Sequence, residues 1–175
     1  MAASWTNTKT WAYTDALAYT EVNAYVGTNG NLDFLANRPY AQASRSTALS
    51  IATSPTWTKV TLPDAEDRDT HNFHSTSTNS SRFTIPTGLG GLYVVNAFAE
   101  FASDTTGSRA MRITKNGTTS RDLLLLGAST TAWRASAAQR WILAANDYIE
   151  LEVWQSTGAN LNLTAARVEL LWESF

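Results

Sequence analysis

The sequence predicts a single all-β sandwich preceded by a short, partly helical N-terminal arm, and three observations carry that prediction. Ser and Thr fill 41 of the 175 positions while charged residues make up only 16%, a composition weighted towards side chains that suit strands. From about residue 41 onward, short apolar runs of period two are separated by turn residues, at the spacing of a sandwich. A hydrophobic content of 43% supports one substantial core but hardly two.

Residues 1–40 read as the arm. Trp5, Trp11, Tyr13, Tyr19 and Tyr25 are scattered among Thr and Asn without alternation. Thr20 is an N-cap candidate for a short helix with Val22, Tyr25 and Val26 on one side, which Gly27 and Gly30 weaken. Leu32, Phe34 and Leu35 form a last apolar cluster before Arg38-Pro39, where proline marks the passage into the body, residues 41–175.

In the body, residues 47–53 and 57–62 alternate on either side of Ser54-Pro55-Thr56, so the two runs are expected to pair or neighbour each other. A polar, acidic stretch, 64–81, reads as solvated. After residues 82–86 and a glycine-rich turn comes the longest strand, 91–102, with Tyr93, Val95, Ala97, Ala99 and Phe101 on one face. Its other face, Leu92, Val94, Asn96, Phe98 and Glu100, is also substantially apolar and is expected to meet another sheet or another subunit. Residues 108–115 alternate and end in Asn116-Gly117, a strong hairpin signal, so the chain returns antiparallel from Thr118. The continuous run 123–126 needs cover on both faces or a bulge. Residues 148–155 place Ile149, Leu151 and Val153 on one face and Tyr148, Glu150, Glu152 and Trp154 on the other, and a closing strand runs from about 161 to 172. Val94, Phe98, Tyr148 and Trp154 are the candidate interface residues.

Thirteen basic residues are scattered singly in a chain of net charge −2, so no phosphate-binding stripe is encoded and nucleic acid is not an expected partner. No apolar run approaches the roughly 18 residues a membrane-spanning helix needs, and Met-Ala-Ala-Ser-Trp has neither the charged nor the apolar region of an export signal. The absence of cysteine fits folding in a reducing cytoplasm.

Candidate chemistry is sparse. His71 and His74 stand among Asp64, Glu66, Asp67 and Asp69, residue types that ligate divalent metals, but a flexible loop fixes no shared geometry and no metal is expected. Glu150 and Glu152 lie roughly 7 Å apart along one strand face, a separation open to glycoside hydrolysis, but paired surface charges are far more common and no neighbouring cleft or perturbing group is readable, so they are read as surface charges. No Gly-x-Ser-x-Gly elbow occurs. Neither an enzyme nor a cofactor is expected. Trp133 and Trp141 would stack on sugars if exposed, and otherwise belong to core or interface packing.

Phe83-Thr84-Ile85-Pro86, Gly91-Leu92-Tyr93, Gly107-Ser108-Arg109, Arg112-Ile113 and Lys115-Asn116-Gly117-Thr118 resemble, in their order and spacing, the globular-head domain of the complement and tumour-necrosis-factor superfamily. The likeness is stronger to the phage virion form of that domain. It extends to Trp57-Thr58, residues 67–74, residues 143–150 and Trp154-Gln155-Ser156. Residues 17–23, with Leu35 and Arg38-Pro39, resemble the leader that precedes such domains in phage structural genes. The chain departs from the pattern within Thr87-Gly88-Leu89-Gly90, where an extra pair lengthens one turn.

The resemblance implies a jelly roll of ten strands, a homotrimer, and a bacteriophage structural protein located in the virion. Its partners would then be itself and the major capsid protein or another virion protein, held through Trp5, Trp11, Tyr13, Tyr19, Leu32 and Leu35 of the arm. The sequence has no heptads or fibre repeats, which favours decoration of the head. A minor tail protein or fibre tip binding a host surface glycan is the alternative.

Overall fold

The computed structural model describes residues 20, 22, 31–53, 56–64 and 68–174. The chain divides into two compact units, Met1–Pro39 and Tyr40–Phe175. In the first, Thr20 and Val22 are helical, and helix α1 spans Asn31–Ala36 with Phe34 buried and Leu32 and Leu35 exposed.

Among the described residues the second unit is a jelly roll of eleven strands in two antiparallel sheets. The strands are β1 (Tyr40–Arg45), β2 (Leu49–Ile51), β3 (Thr58–Lys59), β4 (Arg68–Asp69), β5 (Arg82–Thr84), β6 (Gly91–Phe101), β7 (Arg109–Lys115), β8 (Thr119–Leu126), β9 (Trp133–Leu143), β10 (Tyr148–Gln155) and β11 (Leu161–Ser174). The larger sheet runs β4-β1-β11-β6-β9, with β2 on the far part of β11. The smaller runs β3-β10-β7-β8, with β5 also on β10.

Period-two alternation builds the core. Tyr93, Val95, Ala97, Ala99 and Phe101 of β6 point inward beside Val168 and Leu170 of β11, opposite Met111, Ile113, Ile149, Leu151 and Val153 of the smaller sheet, and all are buried. Each fully buried large side chain of this kind contributes about 1.5–3 kcal/mol. Tyr93 also donates its hydroxyl to the Leu89 carbonyl at 2.5 Å, tying the lengthened turn to the core, and burial pushes its phenol pKa up.

Two devices adjust the registers. Asn116 and Gly117, at φ of 53° and 66°, form the tight turn between β7 and β8. Between Met111 and Ile113 the partners step from Leu124 to Arg121, so β8 carries a bulge, one of the two alternatives its apolar run left open.

The expected pairing of 47–53 with 57–62 does not occur. β2 pairs with Leu161–Leu163 of β11 in the larger sheet, whereas β3 pairs with β10 in the smaller one. The two runs therefore belong to different sheets, and the alternation of each reports a separate half of the core. The stretch 64–81 is also not simply solvated, because His71, Phe73 and His74 are buried.

Candidate functional site

The outer face of the larger sheet is built from registers that place side chains in rows across four strands. Tyr40, Leu171, Val94 and Arg140 form one row; Gln42, Glu169, Asn96 and Ala138 the next; Ser44, Arg167, Phe98 and Ser136 a third. Beyond them, Leu92 pairs with Ile142, which is 79% exposed, and Glu100 pairs with Arg134. The small side chains of Ser136 and Ala138 leave a depression of about 530 Å³, bounded by Asn96, Phe98, Arg167 and Glu169.

The rim charges of this face are neutralised within the chain. Arg134 donates to Glu100 at 2.6 Å and Arg140 to Glu173 at 2.8 Å. The Arg134 hydrogen bond, with help from Thr164, holds the Glu100 carboxyl below its usual range, and Arg140 does the same for Glu173. The centre differs. Glu169 accepts one hydrogen bond, from Asn96 Nδ2 at 2.9 Å, and Arg167 has no hydrogen-bond or ion-pair partner among the described residues.

The outer face of the smaller sheet is covered by its own residues. Glu150, whose side chain is fully buried, accepts from Lys59 Nζ at 2.7 Å, Ser81 Oγ at 2.9 Å and Arg82 Nε at 3.1 Å. Burial opposes its ionisation, but these three hydrogen bonds and the Lys59 charge outweigh it, so the carboxyl titrates below its usual range. The Arg82 guanidinium also lies 4.1 Å from the Tyr148 ring centroid. Arg112 pairs with Glu152 at 2.5 Å and sits 4.3 Å from the centroid of Trp57. Cations thus bind both glutamates in a structural lattice.

The four candidate interface residues consequently fall on two surfaces. Val94 and Phe98 face outward from the larger sheet, Tyr148 and Trp154 from the smaller, and the structure does not bring the pairs together. Trp5, Trp11, Tyr13 and Tyr19 lie outside the described residues. Trp133 and Trp141 are 4% and 3% exposed, which leaves no ring face for a sugar and selects the core alternative.

His71 and His74 are held by packing. Asp69 folds the loop by accepting from the backbone amides of His71, Phe73 and His74 at 2.9–3.1 Å. His74 Nε2 donates to the Ser80 carbonyl at 3.1 Å and its ring lies 4.9 Å from that of Phe83. No group of three or more metal-ligating side chains is gathered among the described residues.

At the end of the sandwich opposite Tyr40, Arg109 is fully buried and organises the β6–β7 loop. Its guanidinium donates to the carbonyls of Asp104 and Thr106 at 2.8 Å each. Gly107 turns that loop at φ 59°, where a Cβ would collide with the Ser156 carbonyl.

No protein-family model matches the chain, and neither does any curated protein. Solved structures do match in fold. The globular domain of zebrafish complement 1qA superposes with a TM-score of 0.55 at 15% identity, covering 79% of this chain and all of that one. Vertex protein P5 of PRD1 gives 0.54 at 16%, covering 76% and 72%. Murine APRIL gives 0.54 at 11%, covering 75% and 98%. The body is a jelly roll of the complement and tumour-necrosis-factor-like kind.

Proposed function

We propose that this chain is a non-enzymatic structural protein of a bacteriophage virion, assembling as a homotrimer and decorating the head through residues 1–40. The observation that carries the reading is the outer face of the larger sheet. Val94, Phe98, Leu171 and Ile142 reach solvent there around a depression, and an antiparallel sheet facing only water presents polar side chains instead. A second copy provides the cover. The fold likeness to a phage vertex protein supports a virion role, and the internally satisfied glutamates of the smaller sheet favour structure over catalysis.

A trimer meets a local three-fold of capsid subunits without symmetry mismatch, and three arms acting together gain avidity from modest individual contacts. The major capsid protein or another virion protein is the partner in this reading. Cryo-electron microscopy of the intact particle tests it. Density for this jelly roll at capsid three-fold or quasi-three-fold positions supports the proposal, and density confined to the tail, or none, overturns it.

A further inference from the structure

The centre of the larger sheet's outer face carries a charge arrangement that a single copy leaves incomplete. Arg167 and Glu169 stand two residues apart on β11, both facing outward and both lining the depression beside Phe98. Among the described residues the other ion pairs on that face, Glu100–Arg134 and Glu173–Arg140, are closed within the chain, and Arg68, opposite Gln42, lies over the Tyr40 ring. Arg167 has no partner among the described residues, and the carboxylate of Glu169 receives only the neutral Asn96 amide.

We propose that the partner of Arg167 is Glu169 of a second copy of this chain, and that each copy contributes both members, so the pairs close into a ring around the assembly axis. The inference rests on the reading of this face as a subunit interface and adds the contact that sets its register. In a closed cyclic assembly, residues near the axis meet their own near neighbours from the adjacent copy, so a donor and an acceptor side by side on one surface are self-complementary. The rim pairs are less suited to this role because each charge already faces an opposite charge within its own copy. Phe98, beside Arg167 in the same row, becomes the apolar floor that excludes water from the ring. Arginine suits the position, since its planar fork binds a carboxylate through two parallel hydrogen bonds.

The test is a charge exchange in the full-length protein, read by sedimentation velocity across a concentration series, with circular dichroism as the check on folding. Arg167→Glu places like charges opposite Glu169, and Glu169→Arg places like charges opposite Arg167. Each single variant should assemble more than about 100-fold more weakly than the unmodified chain, because facing like charges cost several kcal/mol. The double variant Arg167→Glu/Glu169→Arg should recover assembly to within about tenfold, since the ring is restored with its polarity reversed. Folded single variants that assemble as well as the unmodified chain overturn the ring while leaving the interface standing. A folded double variant as weak as the singles also overturns the ring. An unmodified chain that is monomeric throughout the series overturns the interface and the ring together.

Discussion

Replacing Glu150 by Gln keeps the shape of the side chain but removes the charge on which two short strands converge. Lys59 comes from β3 and Arg82 from β5, and both strands pair with the same edge of β10, so Glu150 joins them. Breaking a buried ion pair by removing one partner costs about 3–5 kcal/mol. Lys59 and Arg82 are 44% and 32% exposed and can turn towards water, which brings the expected loss below that range, to about 2–3 kcal/mol. The pH dependence has a definite sign. The folded-state carboxyl titrates below its unfolded value, so its contribution is fully present above the unfolded pKa of about 4.3 and disappears as pH falls through the folded pKa. Urea unfolding of both proteins should therefore show a stability difference at pH 7 that narrows below about pH 4. A difference under about 0.5 kcal/mol at pH 7, within the range of ordinary surface changes, would refute the assignment of Glu150 as the junction of β3, β5 and β10.

Three further outcomes are expected. Arg109→Met fills much of the same volume but leaves the Thr106 carbonyl without its donor, while the Asp104 carbonyl keeps the Ser129 amide, and should cost about 1.5–3 kcal/mol in urea unfolding; a loss below about 0.5 kcal/mol would show that the loop folds without its internal cation. Phe98→Glu should abolish assembly in sedimentation experiments while retaining the monomer's circular dichroism spectrum, because a charge is placed under the covering subunit at a cost of several kcal/mol. Deleting residues 1–36 should leave a folded trimer that no longer co-sediments with capsids, and a truncated trimer that still coats them would remove the arm as anchor.

The parts of the fold legible in the sequence are those whose apolar residues are large. Tyr93, Val95 and Phe101 announce the inner face of β6, and Asn116-Gly117 announces the β7–β8 turn through two left-handed residues. β1 was not legible because its inward side chains are Ala41 and Ala43, too small to stand out from the Ser and Gln between them. β9 is similar: Ala135 lies between the two buried tryptophans, and Gln139 interrupts the inward series. The buried loop at His71 to His74 was hidden by polarity, since Asp69 satisfies the backbone amides and makes an acidic stretch compatible with burial. At the candidate site, Val94 and Phe98 were readable from alternation within one strand. Arg167 and Glu169 were not, because their meaning depends on the registers of β6 and β11 and on which neighbouring charges are already paired. The same limit made Tyr148 and Trp154 look equivalent to Val94 and Phe98, although the sandwich places them on its opposite side.

The central claim is that the outer face of the larger sheet is covered by further copies of this chain. Sedimentation equilibrium of the full-length protein tests it most directly. With a chain mass of 19.1 kDa, the account predicts a single species of three times that mass that persists on dilution to about 1 μM, as expected of an interface with a sub-micromolar dissociation constant. A stable monomer of 19.1 kDa over the same range would contradict it.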